Sequence, residues 1–188
     1  MTQKFRRAHL RAPLKTTVLY KDESHVLKAN ALNISKGGIL LENLPHVPKI
    51  NLMPLMVDLV HYPDFQSLRF DRIHQLATKS FDRTIFRVRA KIVRSFEEES
   101  EVDKIFASSI GCQLVDPSDE VEKLITGDVN VFAKNTIFLL GLFENRGSKK
   151  EEINRLRFIA GVLGYQKDLP LPKLRQTVLH DYQSLEDL

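Results

Sequence analysis

The chain has 188 residues, 43% hydrophobic and 28% charged, which are ordinary globular values and exclude a disordered polypeptide. Its formal net charge of +4 is unevenly spread: residues 1–50 hold nine Lys/Arg against three Asp/Glu, and the remainder holds 19 against 21. This local basic character favours a site for an anion over general adhesion to nucleic acid, and the single cysteine, Cys112, excludes an intrachain disulfide or a cysteine-rich metal site.

The N-terminal stretch "FRRAHLR" places Arg6, Arg7 and Arg11 ahead of the first apolar segment. No apolar run follows these charges, so a secretory signal is not expected. Residues 14–20, "LKTTVLY", alternate and are rich in β-branched and aromatic types, which predicts a strand. "KDES" is a polar turn and "HVLKANALNIS" the returning strand; "GGILLENL" follows, its glycines marking a tight turn or bulge before a third strand. Residues 55–62 alternate again. The segment 63–85 interrupts this rhythm; it is long for a hairpin loop, contains enough apolar residues for a short helix, and reads as an insertion.

"FRVRAKIVRSF", residues 86–96, has the clearest period of two. Phe86, Val88, Ala90, Ile92 and then Arg94 share one face, with Arg87, Arg89, Lys91 and Val93 on the other. After the acidic turn "EEESEVD", "KIFASSIGCQLVD" closes as a last strand. Six strands at this spacing without an intervening run of helices predict an antiparallel barrel or sandwich. From Asp116 the period becomes helical. "DPSDEVEKLI" offers Asp116 or Ser118 as N-cap, with acids in the first turn. Two further amphipathic helices carry the stripes Ile153-Leu156-Ile159-Leu163 and Leu174-Val178-Tyr182-Leu185. The longest nearly apolar run, "TIFLLGLF" from Thr136, is too short to span a bilayer. A protein of the reducing cytoplasm is expected.

Catalytic patterns are weak. "RGSKK", residues 146–150, lacks the second glycine and preceding strand of a phosphate loop. The six histidines are scattered and show no metal-ligand spacing. No carboxylate pair stands out, and Ser108-Ser109 lacks a nucleophile elbow. No enzyme, no metal and no cofactor are expected.

The three arginines alone are more often a solvated arm than a site. Together with "NISKGG", residues 33–38, they suggest more: Asn33 and Ser35 share a facing at a strand end, and Gly38 permits close backbone approach. Guanidinium forks suit phosphates and the O6/N7 edge of guanine, and a small amide and hydroxyl suit the remaining edge or a ribose. These are the ingredients for a guanine nucleotide.

The chain here resembles the PilZ domain family. "RRAHLR" is similar to its R-R-x-x-x-R motif and Asn33-x-Ser35-x-x-Gly38 to its [D/N]-x-S-x-x-G motif, in the right order and at about the usual separation. "GILLENLP" and "RVRAKIVR…SIGCQLVD" also look like the family. The resemblance covers residues 4–126 and leaves 127–188 as a C-terminal helical extension. It implies an all-β fold, a six-stranded antiparallel β-barrel, and a non-enzymatic bacterial receptor for cyclic di-GMP. Arg6, Arg7 and Arg11 would clamp phosphates and guanine, and Asn33, Ser35 and Gly38 would hold the other side. Asn33 stands where the family's common residue is an acid; an amide has one acceptor oxygen, so the expectation is a lower affinity and not loss of binding. The stripes of the helical extension would be buried by docking on the barrel of the same chain, by pairing across a homodimer or by binding a downstream protein partner, with no nucleic acid bound. Two alternatives remain at this point: a nucleic-acid-binding protein using the basic arm, and a degenerate PilZ module that only contacts proteins.

Overall fold

In the computed structural model, which describes residues 9–76, 81–97, 108–145 and 150–186, six strands form a closed barrel. They are β1 (Arg11–Asp22), β2 (His25–Ser35), β3 (Gly38–Leu44), β4 (Leu52–Val60), β5 (Arg83–Glu97) and β6 (Ser108–Val115). Their order around the barrel is β1-β2-β3-β6-β5-β4, with every pairing antiparallel and β1 against β4 closing the ring. The alternation in the sequence is the cause: Val18 and Tyr20 of β1, Met53, Leu55, Val57 and Leu59 of β4, and Phe86, Val88 and Ala90 of β5 all point into the barrel and are buried. Each large apolar side chain so placed contributes roughly 1.5–3 kcal/mol of transfer free energy.

"KDES" forms the β1–β2 turn, with Glu23 in the left-handed region (φ 51°). One end of this hairpin is tied to the β3–β4 connection by a buried carboxylate. Asp22 accepts hydrogen bonds from His46 Nε2 (2.9 Å) and from the Lys49 and Ile50 amides (3.0 and 3.3 Å). Burial by itself would raise the Asp22 pKa, but the His46 bond, the two amides and the attraction of His46 outweigh it, and the pKa is lowered.

The chain divides into two compact units. One comprises residues 7–61 and 83–129, the barrel with the start of a long helix; the other combines 62–82 with 130–188. That helix, α2 (Asp119–Glu144), is continuous through Gly127. The Ser118 hydroxyl accepts from the Val121 amide (3.3 Å), which makes Ser118 the cap and not Asp116. In the second unit the segment after β4 forms a short 3-10 turn, Phe65–Ser67, and a helix α1 (Phe70–Leu76), while Arg83–Ile85 belong to β5. Helices α3 (Lys150–Val162) and α4 (Leu171–Glu186) follow. The helical stripes pack together: Leu156, Ile159 and Leu163 of the α3 region and Leu174 and Val178 of α4 share a core with Leu139, Phe143, Phe65 and Ile73. Asn135, fully buried, holds the inserted segment, accepting from the Phe65 amide (2.9 Å) and donating to the Pro63 carbonyl (2.9 Å). No described helix is long and apolar enough to cross a membrane.

Candidate ligand-binding site

Two irregularities in the ladder create the site. Along β2, Ala29 and Ala31 point inward, and strict alternation would send Asn33 after them. The pairing of β2 with β3 shifts between Ala31 and Asn33, so Ile34 is the next buried residue and Asn33 is left half-buried on the outer surface. Along β5 the same occurs between Ile92 and Arg94 in the pairing with β6. Arg94, expected on the apolar face with Phe86 to Ile92, therefore lies outside and exposed. A bulge re-aims a side chain in just this way, by adding one residue to one strand.

The register then brings the two together. Asn33 lies opposite Pro13 of β1 and Leu40 of β3; Leu40 is opposite Gly111 of β6, and Gly111 is opposite Arg94. Arg11 is opposite Ser35. Arg11, Asn33, Leu40, Arg94, Gly111 and Cys112 line one cavity of about 250 Å³. Gly111 makes room for the arginine: a Cβ there would lie 2.9 Å from Arg94 Cγ and 3.4 Å from its Cδ.

Ser35 and Gly38 have a local job. Ser35 is buried; its hydroxyl accepts from the Gly38 amide (3.1 Å) and donates to the Gly38 carbonyl (3.2 Å), stapling the β2–β3 turn beside Arg11. Gly38 permits a close approach of backbone to backbone, since a Cβ would lie 2.5 Å from the Cys112 carbonyl oxygen. The end of the basic stretch reaches the same turn, with His9 Cδ2 2.7 Å from where a Gly37 Cβ would be. Lys36 pairs with Glu122 of α2 (3.0 Å). Arg6 and Arg7 lie outside the described residues, as do residues 146–149 of "RGSKK". Burial pushes the Cys112 thiol up to about 12, so it stays protonated and unreactive at neutral pH. Among the described residues, no cluster of His, Cys, Asp and Glu is placed to hold a metal ion.

Sequence reasoning did not name Arg94 or Gly111, which line this cavity. Their trace in the sequence is that Arg94 breaks an otherwise apolar face and that both lie within "RVRAKIVR…SIGCQLVD".

No family model matches the chain, and no curated protein matches it. Among solved structures it is similar to the Bacillus subtilis inhibitor of motility (MotI/DgrA), with a TM-score of 0.47 and 13% identity over 66% of this chain and 50% of that one. It is similar to the PilZ domain with c-di-GMP of YcgR from Escherichia coli, with a TM-score of 0.41 and 14% identity over 71% of this chain and 94% of that one. It is also similar to the Borreliella burgdorferi PlzA protein in complex with c-di-GMP, with a TM-score of 0.41 and 13% identity over 78% of this chain and 56% of that one. The chain thus spans about half the length of the inhibitor of motility and of PlzA.

Proposed function

We propose that this chain is a PilZ-type receptor for cyclic di-GMP, a binding module of the bacterial cytoplasm and not an enzyme. The observation that carries the reading is the convergence of the two sequence motifs on one cavity: Arg11 and Asn33, 22 positions apart in the chain, line it together with Arg94. A guanine with its phosphates matches this set, because guanidinium groups donate in parallel to phosphate oxygens or to O6 and N7. The Asn33 amide oxygen accepts one of the guanine N–H groups. The Arg94 guanidinium supplies a plane on which a base stacks.

At about 250 Å³ the cavity is smaller than the roughly 300–1,000 Å³ usual for small-molecule sites, and it accommodates part of the dinucleotide, a base with its phosphate. In this reading Arg6 and Arg7, which lie outside the described residues, take the remaining phosphates, and a protein partner reads the bound state. The test is calorimetric titration with cyclic di-GMP, in competition with GTP and with an oligonucleotide. Saturable binding of cyclic di-GMP that neither competitor displaces supports the reading. Displacement by oligonucleotide with a steep salt dependence points to nucleic acid instead, and no binding points to a module that only contacts proteins.

A further inference from the structure

A second, larger recess lies on the outer wall of the barrel, and none of the described residues of the two sequence motifs lines it. It encloses about 640 Å³ between β1, β4, β5 and the end of β6. The register sets its floor and rim. Leu19 is opposite Met56 and Met56 opposite Arg87; Pro54 is opposite Arg89 and Arg89 opposite Val115. The outward row of β5 that the sequence displays as "RVRAK" is thus laid beside an apolar strip of Leu19, Met56, Pro54 and Val115. Val26, 66% exposed, adds to that strip at the edge. The charge is one-sided: the lining holds Lys21, Arg87 and Arg89 against Asp116, which sits 3.8 Å from Arg89.

We infer that this wall is a docking surface for an acidic polypeptide segment bearing apolar side chains, supplied by a partner protein. The complementarity decides the class. Arg87 and Arg89 are two residues apart on one strand, about 6.5–7 Å along it, a spacing that carboxylates two apart on an extended segment or three to four apart on a helix both meet. The apolar strip between the cations gives a phosphodiester backbone nothing to bind, which disfavours nucleic acid. Leu19, Met56 and Val115 are only partly exposed, a shallower apolar face than insertion into a lipid surface requires. A volume of this size takes a few apolar side chains, and the apolar floor with a charged rim is the usual layout of a protein interface.

The test is panning of a phage-displayed library of random 12-residue peptides on the full-length protein, followed by affinity measurement with synthesised winners. The expected winners carry two or more Asp/Glu beside aliphatic or aromatic residues. They bind at least tenfold more weakly to Arg87→Glu/Arg89→Glu and to Met56→Arg, both exposed or half-exposed positions whose variants are checked for folding by circular dichroism. Cyclic di-GMP titration of the same variants stays within twofold of the parent, which separates this surface from the proposed ligand site. Enrichment of non-acidic peptides, of none, or of peptides that bind the folded charge-reversal variant equally well overturns the inference. So does tighter binding, through the same arginines, of a 20-base-pair DNA duplex or of phosphatidylglycerol vesicles. Self-association that Arg87→Glu/Arg89→Glu abolishes likewise overturns it, in favour of a second copy.

Discussion

Replacing Gly111 by alanine separates ligand recognition from stability. An added Cβ would stand 2.9 Å from Arg94 Cγ, 3.4 Å from Cδ and 3.5 Å from Nε, and these are the three nearest atoms to it. Contact at 2.9 Å is not tolerated, so the arginine must leave its seat on β6. Since the obstruction is a side chain on the outer surface, the barrel itself need not move. Rotating Arg94 off its preferred rotamer costs about 0.5–1.5 kcal/mol. Removing a glycine from a strand interior returns roughly 0.5–1 kcal/mol. Net stability should therefore stay within about 1 kcal/mol of the parent. Affinity should not. Loss of one hydrogen-bonded contact from a charged group is worth about 1.5–3 kcal/mol, a weakening of cyclic di-GMP binding of roughly 10- to 150-fold. Calorimetry gives the affinity and thermal unfolding the stability. Arg94→Ala should match Gly111→Ala, and the double variant should be no worse than either, because both remove the same contact. A folded Gly111→Ala protein that binds cyclic di-GMP like the parent refutes the placement of Arg94 in the site.

Gly38→Ala should behave oppositely, losing about 1–3 kcal/mol in urea unfolding, because its Cβ would meet the Cys112 carbonyl at 2.5 Å and backbone cannot step aside; an unchanged midpoint counts against that close approach. Asp22→Ala strands two amides and should cost about 2–4 kcal/mol at pH 7. Because the Asp22 pKa is lowered on folding, the carboxylate's contribution is present above its unfolded value, about 3.9, and disappears as pH falls through the folded value. The gap between parent and variant should thus narrow below about pH 4, and a gap independent of pH down to pH 2 contradicts the assignment. The Cys112 thiol should resist Ellman's reagent at pH 8 in the native protein and react fully in denaturant; prompt native labelling shows that it is accessible. Asn135→Ala leaves the buried Phe65 amide without its acceptor and should destabilise the helical unit by about 2–4 kcal/mol, measured as accelerated proteolysis within residues 62–82.

Much of this architecture is legible in the chain itself. Period-two alternation in "LKTTVLY", "LMVDLVHY" and "FRVRAKIVRSF" identifies strands because one face of each is buried, and burial leaves a record at every second residue. The switch to a helical period after Asp116, and the stripes of α3 and α4, are equally local. So is the two-motif pattern that singles out Arg11 and Asn33. Where those stripes are buried is not local: nothing in residues 62–82 announces that Phe65 and Ile73 pack with Leu139, Leu156 and Leu174. The site depends on tertiary structure most of all. Asn33 and Arg94 face outward only because β2 and β5 each slip by one residue against a neighbour, and a slip is a property of two paired strands. Gly111 looks like any strand glycine until Arg94 lies across it. The outer recess has the same origin, since Arg87 and Arg89 acquire their apolar floor from β4 across the ladder and from Leu19 of β1, which only barrel closure brings alongside β4. Alternation along a strand is written in its own residues, whereas the neighbour across the ladder is chosen by the closing of the whole sheet.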